Sequence, residues 1–159
     1  MKILIDTNII LDALMKREPW VESAEAILLA AAEEKAKGCV TASTFTDIYY
    51  LLRKRLADKE QTKKALLGLL AVVDVLDVTG VDCAKAFDLP MSDYEDALFA
   101  HCGKRHKVDC IVTRDIKHFD GSPVKVMQPD EFIKNLAISE IKACGRNKSC
   151  RGRRPRRPV

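Results

Sequence analysis

The sequence predicts an α/β fold: a three-layer α/β/α sandwich around a central, mostly parallel sheet of four or five strands. Short apolar or β-branched runs at 3–5, 39–41, 74–78, 109–112 and 124–127 have the length and content of buried strands. Stretches with helical apolar spacing separate them. Strands that alternate with helices at these intervals build βαβ units, which place helices on both faces of a parallel sheet.

The chain opens on KILIDTNIIL, where Ile3, Leu4 and Ile5 make a strand and Asp6 follows at once. Thr7 and Asn8 then lead into a helical pattern at Ile9, Ile10, Leu11 and Leu14. A strand ending in a carboxylate that turns into a helix sets that carboxylate on the sheet edge where α/β proteins bind ligands. Strong helix formers fill 21–37, and Gly38 stands where a helix-terminating glycine would. After the second strand, Ser43 or Thr44 can cap a helix with apolar residues Phe45, Ile48, Tyr49, Leu52 and Leu56, and Asp47 lies in its first turns. A helix over 60–73 precedes the third strand, and a short one over 81–87 follows it. Ser92-Asp93-Tyr94-Glu95 matches a capping box for a helix that Gly103 would stop. The fourth strand ends in Thr113-Arg114-Asp115. Gly121-Ser122-Pro123 turns the chain into the fifth strand, and Pro129 starts a last helix through Leu136.

At 159 residues the chain is the size of one domain with one sizeable core. Its apolar fraction of 47% and charged fraction of 31% are those of an ordinary globular protein. No apolar run reaches the roughly 18 residues of a membrane span, and the N-terminus has no signal-peptide arrangement. No membrane association and a cytoplasmic location are therefore expected. The six cysteines form no C-x-x-C pair, and Cys39 and Cys110 sit in apolar surroundings, as small buried thiols do. Cys144 and Cys150 are the one pair with disulfide or metal potential. The net charge of +4 divides unevenly: residues 142–159 hold eight basic residues and no acid, leaving 19 basic against 23 acidic in the body, about −4. We read residues 1–138 as the domain and 139–159 as a basic, disordered extension.

Asp6 and Asp115 follow strands, and Asp47 and Asp96 open helices. Such positions of parallel βα units share the C-terminal edge of the sheet, so the four can meet. Carboxylates a few ångströms apart disfavour joint ionisation, and a divalent cation relieves the repulsion. All-oxygen sites suit Mg²⁺ or Mn²⁺, which activate water and hold phosphate oxygens. The competing reading is that each acid caps a helix. It explains Asp93 and Glu95 well, whereas Asp96 lies past the cap.

LIDTNIILD, TASTFTDIYYLLRK, SDYEDALFAH and CIVTRDIKHF, in this order, resemble the PIN-domain nucleases, which include the VapC-type toxins of toxin-antitoxin pairs. The resemblance spans residues 2–136. It implies that Asp6, Asp47, Asp96 and Asp115 form the catalytic set, that Asp6, Asp96 and Asp115 anchor one or two Mg²⁺ or Mn²⁺ ions, and that water so activated cleaves RNA. It likewise implies 5′-phosphate and 3′-hydroxyl products, an antitoxin partner and a homodimer built on helices such as 21–37 or 45–56. Asn8 and Thr113 match the family's small polar residues. The second acid is commonly glutamate, and Asp47 is one methylene shorter, so it acts directly or through water, with Asp93 and Glu95 assisting from the outer shell.

His101, His106 and His118 lack metal-ligand spacing and are expected to pack or cap. Arg114 either contacts a phosphate or forms a structural ion pair. Phe45, Tyr49 and Tyr50 are expected in the core or an interface rather than stacked on bases. The RGRRPRRP tail can neutralise nucleic-acid phosphates, bind an acidic partner or stay solvated. The leading function is thus a metal-dependent ribonuclease. Its rivals are a catalytically inactive PIN-like RNA- or protein-binding module and a phosphoryl-accepting receiver domain. The receiver needs a second acid beside Asp6 and a late lysine, where this chain has TRD.

Overall fold

The computed structural model describes residues 1–147, with side-chain surroundings through residue 139. Five strands, β1 (Lys2–Ile5), β2 (Lys37–Thr41), β3 (Asp74–Leu76), β4 (Cys110–Val112) and β5 (Val126–Met127), form one sheet in the order β3-β2-β1-β4-β5. Every neighbouring pair is parallel. Central parallel strands are covered on both faces, which explains the unbroken apolar runs.

Alternation along the strands sorts the core into two clusters. Ile3, Ile5, Val40, Cys110 and Val112 belong to the larger one, with residues of α1 (Thr7–Leu14), α2 (Val21–Ala32), α3 (Ala42–Leu56), α4 (Lys59–Leu70) and α7 (Pro129–Asn147). Leu4, Cys39 and Ile111 belong to the other, beneath α6 (Tyr94–Arg105), on which α5 (Gly80–Ala86) packs. The three-layer α/β/α sandwich is therefore as expected, with five strands. Burial pushes the Cys102 thiol up to about 12 and Cys110 up to about 11. With Cys39 and Cys83 they are free thiols, while Cys144 and Cys150 lie outside the residues whose side chains are described.

Several local readings change. Helix α2 ends at Ala32, where Glu34 takes the left-handed conformation, and Gly38 is instead inside β2, opposite Ile3. Gly38 is needed for closeness: a Cβ there would lie 3.0 Å from Ala31 Cβ and 3.2 Å from Ile5 Cδ1. Gly103 likewise does not stop α6, which runs to Arg105; it lets the helix approach Leu4, whose Cδ2 would be 3.1 Å from an added Cβ. Thr41, rather than Ser43 or Thr44, caps α3 by accepting from the Thr44 amide. Helix α7 continues from the expected stop at Leu136 to Asn147, into the segment read as a tail. Nothing between these positions, no proline and no terminating turn sequence, breaks it. The RGRRPRRP stretch lies outside the described residues.

Gly38→Ala is expected to overpack the α2–β2 contact and cost roughly 1–3 kcal/mol, a fall in Tm of about 3–10 °C. Thermal unfolding followed by circular dichroism checks it; an unchanged Tm would mean the contact relaxes freely.

Candidate active site

Strands β1, β2 and β3 are added in one direction across the sheet and β4 and β5 in the other, so the topology reverses between β1 and β4. Ligands of open α/β sheets bind at the carboxyl ends of the strands at such a switch point. Register puts Ile5 beside Val112, so the next residues, Asp6 and Thr113, meet directly. The Asp6 amide donates to the Val112 carbonyl at 3.0 Å, and Thr113 Oγ1 donates to Asp6 Oδ2 at 2.7 Å. Thr113 is fully buried and its hydroxyl also accepts from the Asp115 amide at 3.0 Å. One hydroxyl thus fixes the acid after β1 and the backbone of the acid after β4.

A cleft of about 510 Å³ opens here, lined by Asp6, Thr7, Asn8, Asp47, Tyr50, Leu51, Asp93, Glu95, Asp96 and His118. Three of the four acids singled out from the sequence share it. Asp115, 48% exposed, stands at the rim, where its Oδ2 is 3.6 Å from His118 Nδ1. Capping does not account for these acids. Asp6 occupies the N-cap position of α1 without making a side-chain cap, and Asp115 does the same at the 3-10 turn Ile116–Phe119. The residue that caps α6 is Asp93, whose Oδ1 accepts from the Asp96 amide at 3.1 Å. Ser92 and Glu95 therefore do not form the expected capping box; the helix starts one residue later, and Glu95 turns into the cleft.

Repulsion is stored in this arrangement. Burial, and then the Asp93 and Asp6 carboxylates, push Asp96 up to about 6, with His118 opposing. Glu95 is raised by burial and then by Asp47 and Asp93. Asp6 is raised by burial, against the Thr113 hydrogen bond and the amides of Thr7 and Asn8. The donor set is hard, anionic and oxygen-rich, which is the chemistry that Mg²⁺ and Mn²⁺ require. Among the described residues no three His, Cys, Asp or Glu side chains are already drawn together around one point. The donors match the ion in kind.

Other residues separate into structural roles. Arg114 does not line the cleft: its Nε is 3.5 Å from Asp12 Oδ2 and its guanidinium lies 3.9 Å over the Trp20 ring. In this structure Arg114 forms an ion pair with Asp12 and stacks on Trp20. Asp12, wholly buried and without a hydrogen bond to either oxygen among the described residues, carries no sequence signal, and its ion-pair partners are Arg114 and Arg17 at 3.5–3.6 Å. His101 and His106 are likewise structural, bound to Asp82 and Asp77. His118 departs from expectation, since it neither packs nor caps but faces the acids. The signal was present in KHF beside TRD: Phe119 is buried against Phe99, with ring centroids 6.0 Å apart, and anchors the turn while His118 stays out. Tyr50 also differs from Phe45 and Tyr49, which pack on the core; it is 66% exposed and lines the cleft.

The PIN domain family model matches residues 2–117. No curated protein matches the sequence. Among solved structures, the chain is similar to VapBC2 from Rickettsia felis bound to a DNA fragment from their promoter, with 20% identity, 80% of this chain and 98% of that chain covered, and a TM-score of 0.60. DNA-bound VapBC from Salmonella typhimurium gives 20% identity, coverage of 81% and 98%, and a TM-score of 0.60. VapC20 from Mycobacterium tuberculosis, a sarcin-ricin loop cleaving toxin, gives 14%, coverage of 69% and 86%, and 0.55. At these identities the likeness is one of fold.

Two outcomes follow from the electrostatics. A carboxyl raised by folding from 3.8 to about 6 lends its stability below its unfolded value and loses it as pH rises through 6. Above that, ionising Asp96 costs the metal-free fold roughly 3 kcal/mol. Asp96→Asn in EDTA should therefore melt about 5–10 °C higher than the parent near neutral pH, the gain shrinking toward about pH 4. Calorimetry across pH checks this, and a gain independent of pH would remove repulsion as its cause. Thr113→Val deletes the bond to Asp6 and the bond from Asp115, and should weaken Mn²⁺ binding about 10- to 100-fold by titration calorimetry.

Proposed function

The chain belongs to the PIN domain family, and on that premise we propose that it is a Mg²⁺- or Mn²⁺-dependent endoribonuclease, the toxin of a toxin-antitoxin pair. The observation that carries the reading is the gathering of Asp6, Asp47 and Asp96 in one cleft with Asp115 at its rim. Buried carboxylates raised by one another are costly, and a bound cation offsets that cost. Asp6, Asp96 and Asp115 would hold the metal, with Asp47 reaching it directly or through water. When bound, the ion supplies water activation and neutralises charge on the phosphodiester. Thr113 holds Asp6 in place through its hydroxyl. Asp93 fixes the start of α6, and with it the direction in which Asp96 points.

RNA is the proposed substrate, hydrolysed to 5′-phosphate and 3′-hydroxyl ends. A small antitoxin would cover the acidic edge or the neighbouring helices, as toxin and antitoxin occur together in the Klebsiella pneumoniae complex that this chain resembles in fold. Homodimer contacts would come from α2 and α3, where Leu29, Tyr50 and Leu51 are exposed. The free thiols of Cys39, Cys83, Cys102 and Cys110 suit a reducing, cytoplasmic setting. No helix among the described residues is long and apolar enough to cross a membrane.

Cleavage of a panel of cellular RNAs with Mn²⁺, with and without EDTA, is the test. Activity should vanish in EDTA, and Asp6→Asn or Asp96→Asn should lower it about 100-fold or more while leaving the fold intact. Full activity in folded Asp96→Asn would reject the assignment; retention of RNA without cleavage would favour an inactive binding module.

A further inference from the structure

His118 lies at the mouth of the acidic cleft with its imidazole 64% exposed. Its Nδ1 is 3.6 Å from Asp115 Oδ2 and 3.8 Å from Asp96 Oδ2, too far for a hydrogen bond to either. The ring makes no hydrogen bond among the described residues. An exposed ion pair of this length contributes little to stability, so folding energetics do not explain the position.

The position is nevertheless built. The 3-10 turn carrying His118 is clamped to α6, the helix of Asp96, by Phe119 on Phe99. The same turn is closed by the His118 amide donating to the Asp115 carbonyl at 3.1 Å, and Thr113, the residue after β4, holds the Asp115 amide. Two donors bound to one ion at about 2.1 Å lie about 3.0 Å apart when adjacent and about 4.2 Å apart when opposite. The separations from His118 to both carboxylates fall between these limits. His118 with Asp96, and His118 with Asp115, are each spaced as two donors to one ion would be, and binding would draw the three together, since among the described residues they do not yet converge on one point.

We propose that His118 is a nitrogen ligand in the metal site, making this a mixed carboxylate and imidazole centre that prefers Mn²⁺ over Mg²⁺. The proposal rests on reading the cleft as a metal site. Imidazole suits first-row transition ions, whereas Mg²⁺ is held almost wholly by oxygen. The consequence is selectivity: losing the nitrogen weakens Mn²⁺ and leaves Mg²⁺ nearly untouched.

Pulsed electron paramagnetic resonance of Mn²⁺ in the full chain reads this directly, because an imidazole nitrogen bound to Mn²⁺ modulates the spin echo. The chain has three histidines. The ¹⁴N modulation should appear in the parent, persist in His101→Asn and His106→Asn, and disappear in His118→Asn and His118→Ala with Mn²⁺ still bound. By calorimetry, His118→Asn should lose about 10-fold in Mn²⁺ affinity and less than about 2-fold in Mg²⁺ affinity. Bound Mn²⁺ without ¹⁴N modulation in the parent overturns the His118 assignment while leaving an all-carboxylate site standing. Failure of the parent to bind Mn²⁺ at all overturns both.

Discussion

The hydrogen bond from Thr113 to Asp6 joins the two halves of the sheet at the point where its winding reverses. It depends on the parallel register of β1 and β4, which brings Ile5 beside Val112 and therefore the following residues side by side. A slip of one residue would turn Thr113 to the other face and leave Asp6 facing the other carboxylates unsupported. The same hydroxyl takes the Asp115 amide, so the rim acid and the central acid move as a unit. The site inherits its geometry from the most buried pairing in the molecule.

Around this point the fold tolerates repulsion because the flanking elements are fixed by interactions that do not involve the cleft. On one face, buried Asp82 receives Arg105 Nε at 2.8 Å, His101 at 3.1 Å and the Thr79 backbone and hydroxyl at 2.8 Å, tying α5 to α6. Burial alone would raise Asp82, but the Arg105 and Thr79 bonds hold it well below the ordinary carboxylate range. On the other face, Arg114 closes over Trp20 and against buried Asp12. Asp82 outside the cleft is satisfied, Asp12 is buried against two arginines without a hydrogen bond, and within the cleft Asp6, Glu95 and Asp96 are raised.

Most of the fold was legible because period is a robust signal. The runs at 3–5, 39–41 and 109–112 are buried strands, and the acids after them reach one edge because parallel βα units leave no other place for them. What failed was local and depended on packing partners far away in sequence. Local sequence predicts a helix stop at Gly38 because its neighbours α2 and Val73 cannot be seen there; the 3.0 Å approach of Ala31 shows why it lacks a side chain. The cap of α6 shifted from Ser92 to Asp93 because either residue satisfies the local rule. Arg114 and His118 sit where local sequence does not place them for the same reason. Asp12, silent in sequence as a mid-helix acid, captures the arginine, and Phe119 finds Phe99 and leaves the histidine facing the acids.

Asp47 is one methylene shorter than a glutamate at the same position would be. Asp47 projects from α3 into the same cleft as Glu95 from α6, and Glu95 is raised in part by the Asp47 charge. An electrostatic role falls off slowly with distance, whereas coordination is lost within a few tenths of an ångström. Removing a methylene from the second acid therefore reduces its reach far more than its field. Glu95, one methylene longer, lines the same cleft within range of the Asp47 charge. Acids from α3 and α6 thus crowd the cleft with Asp6, beside Asp93, which caps α6, and with Asp115 at the rim.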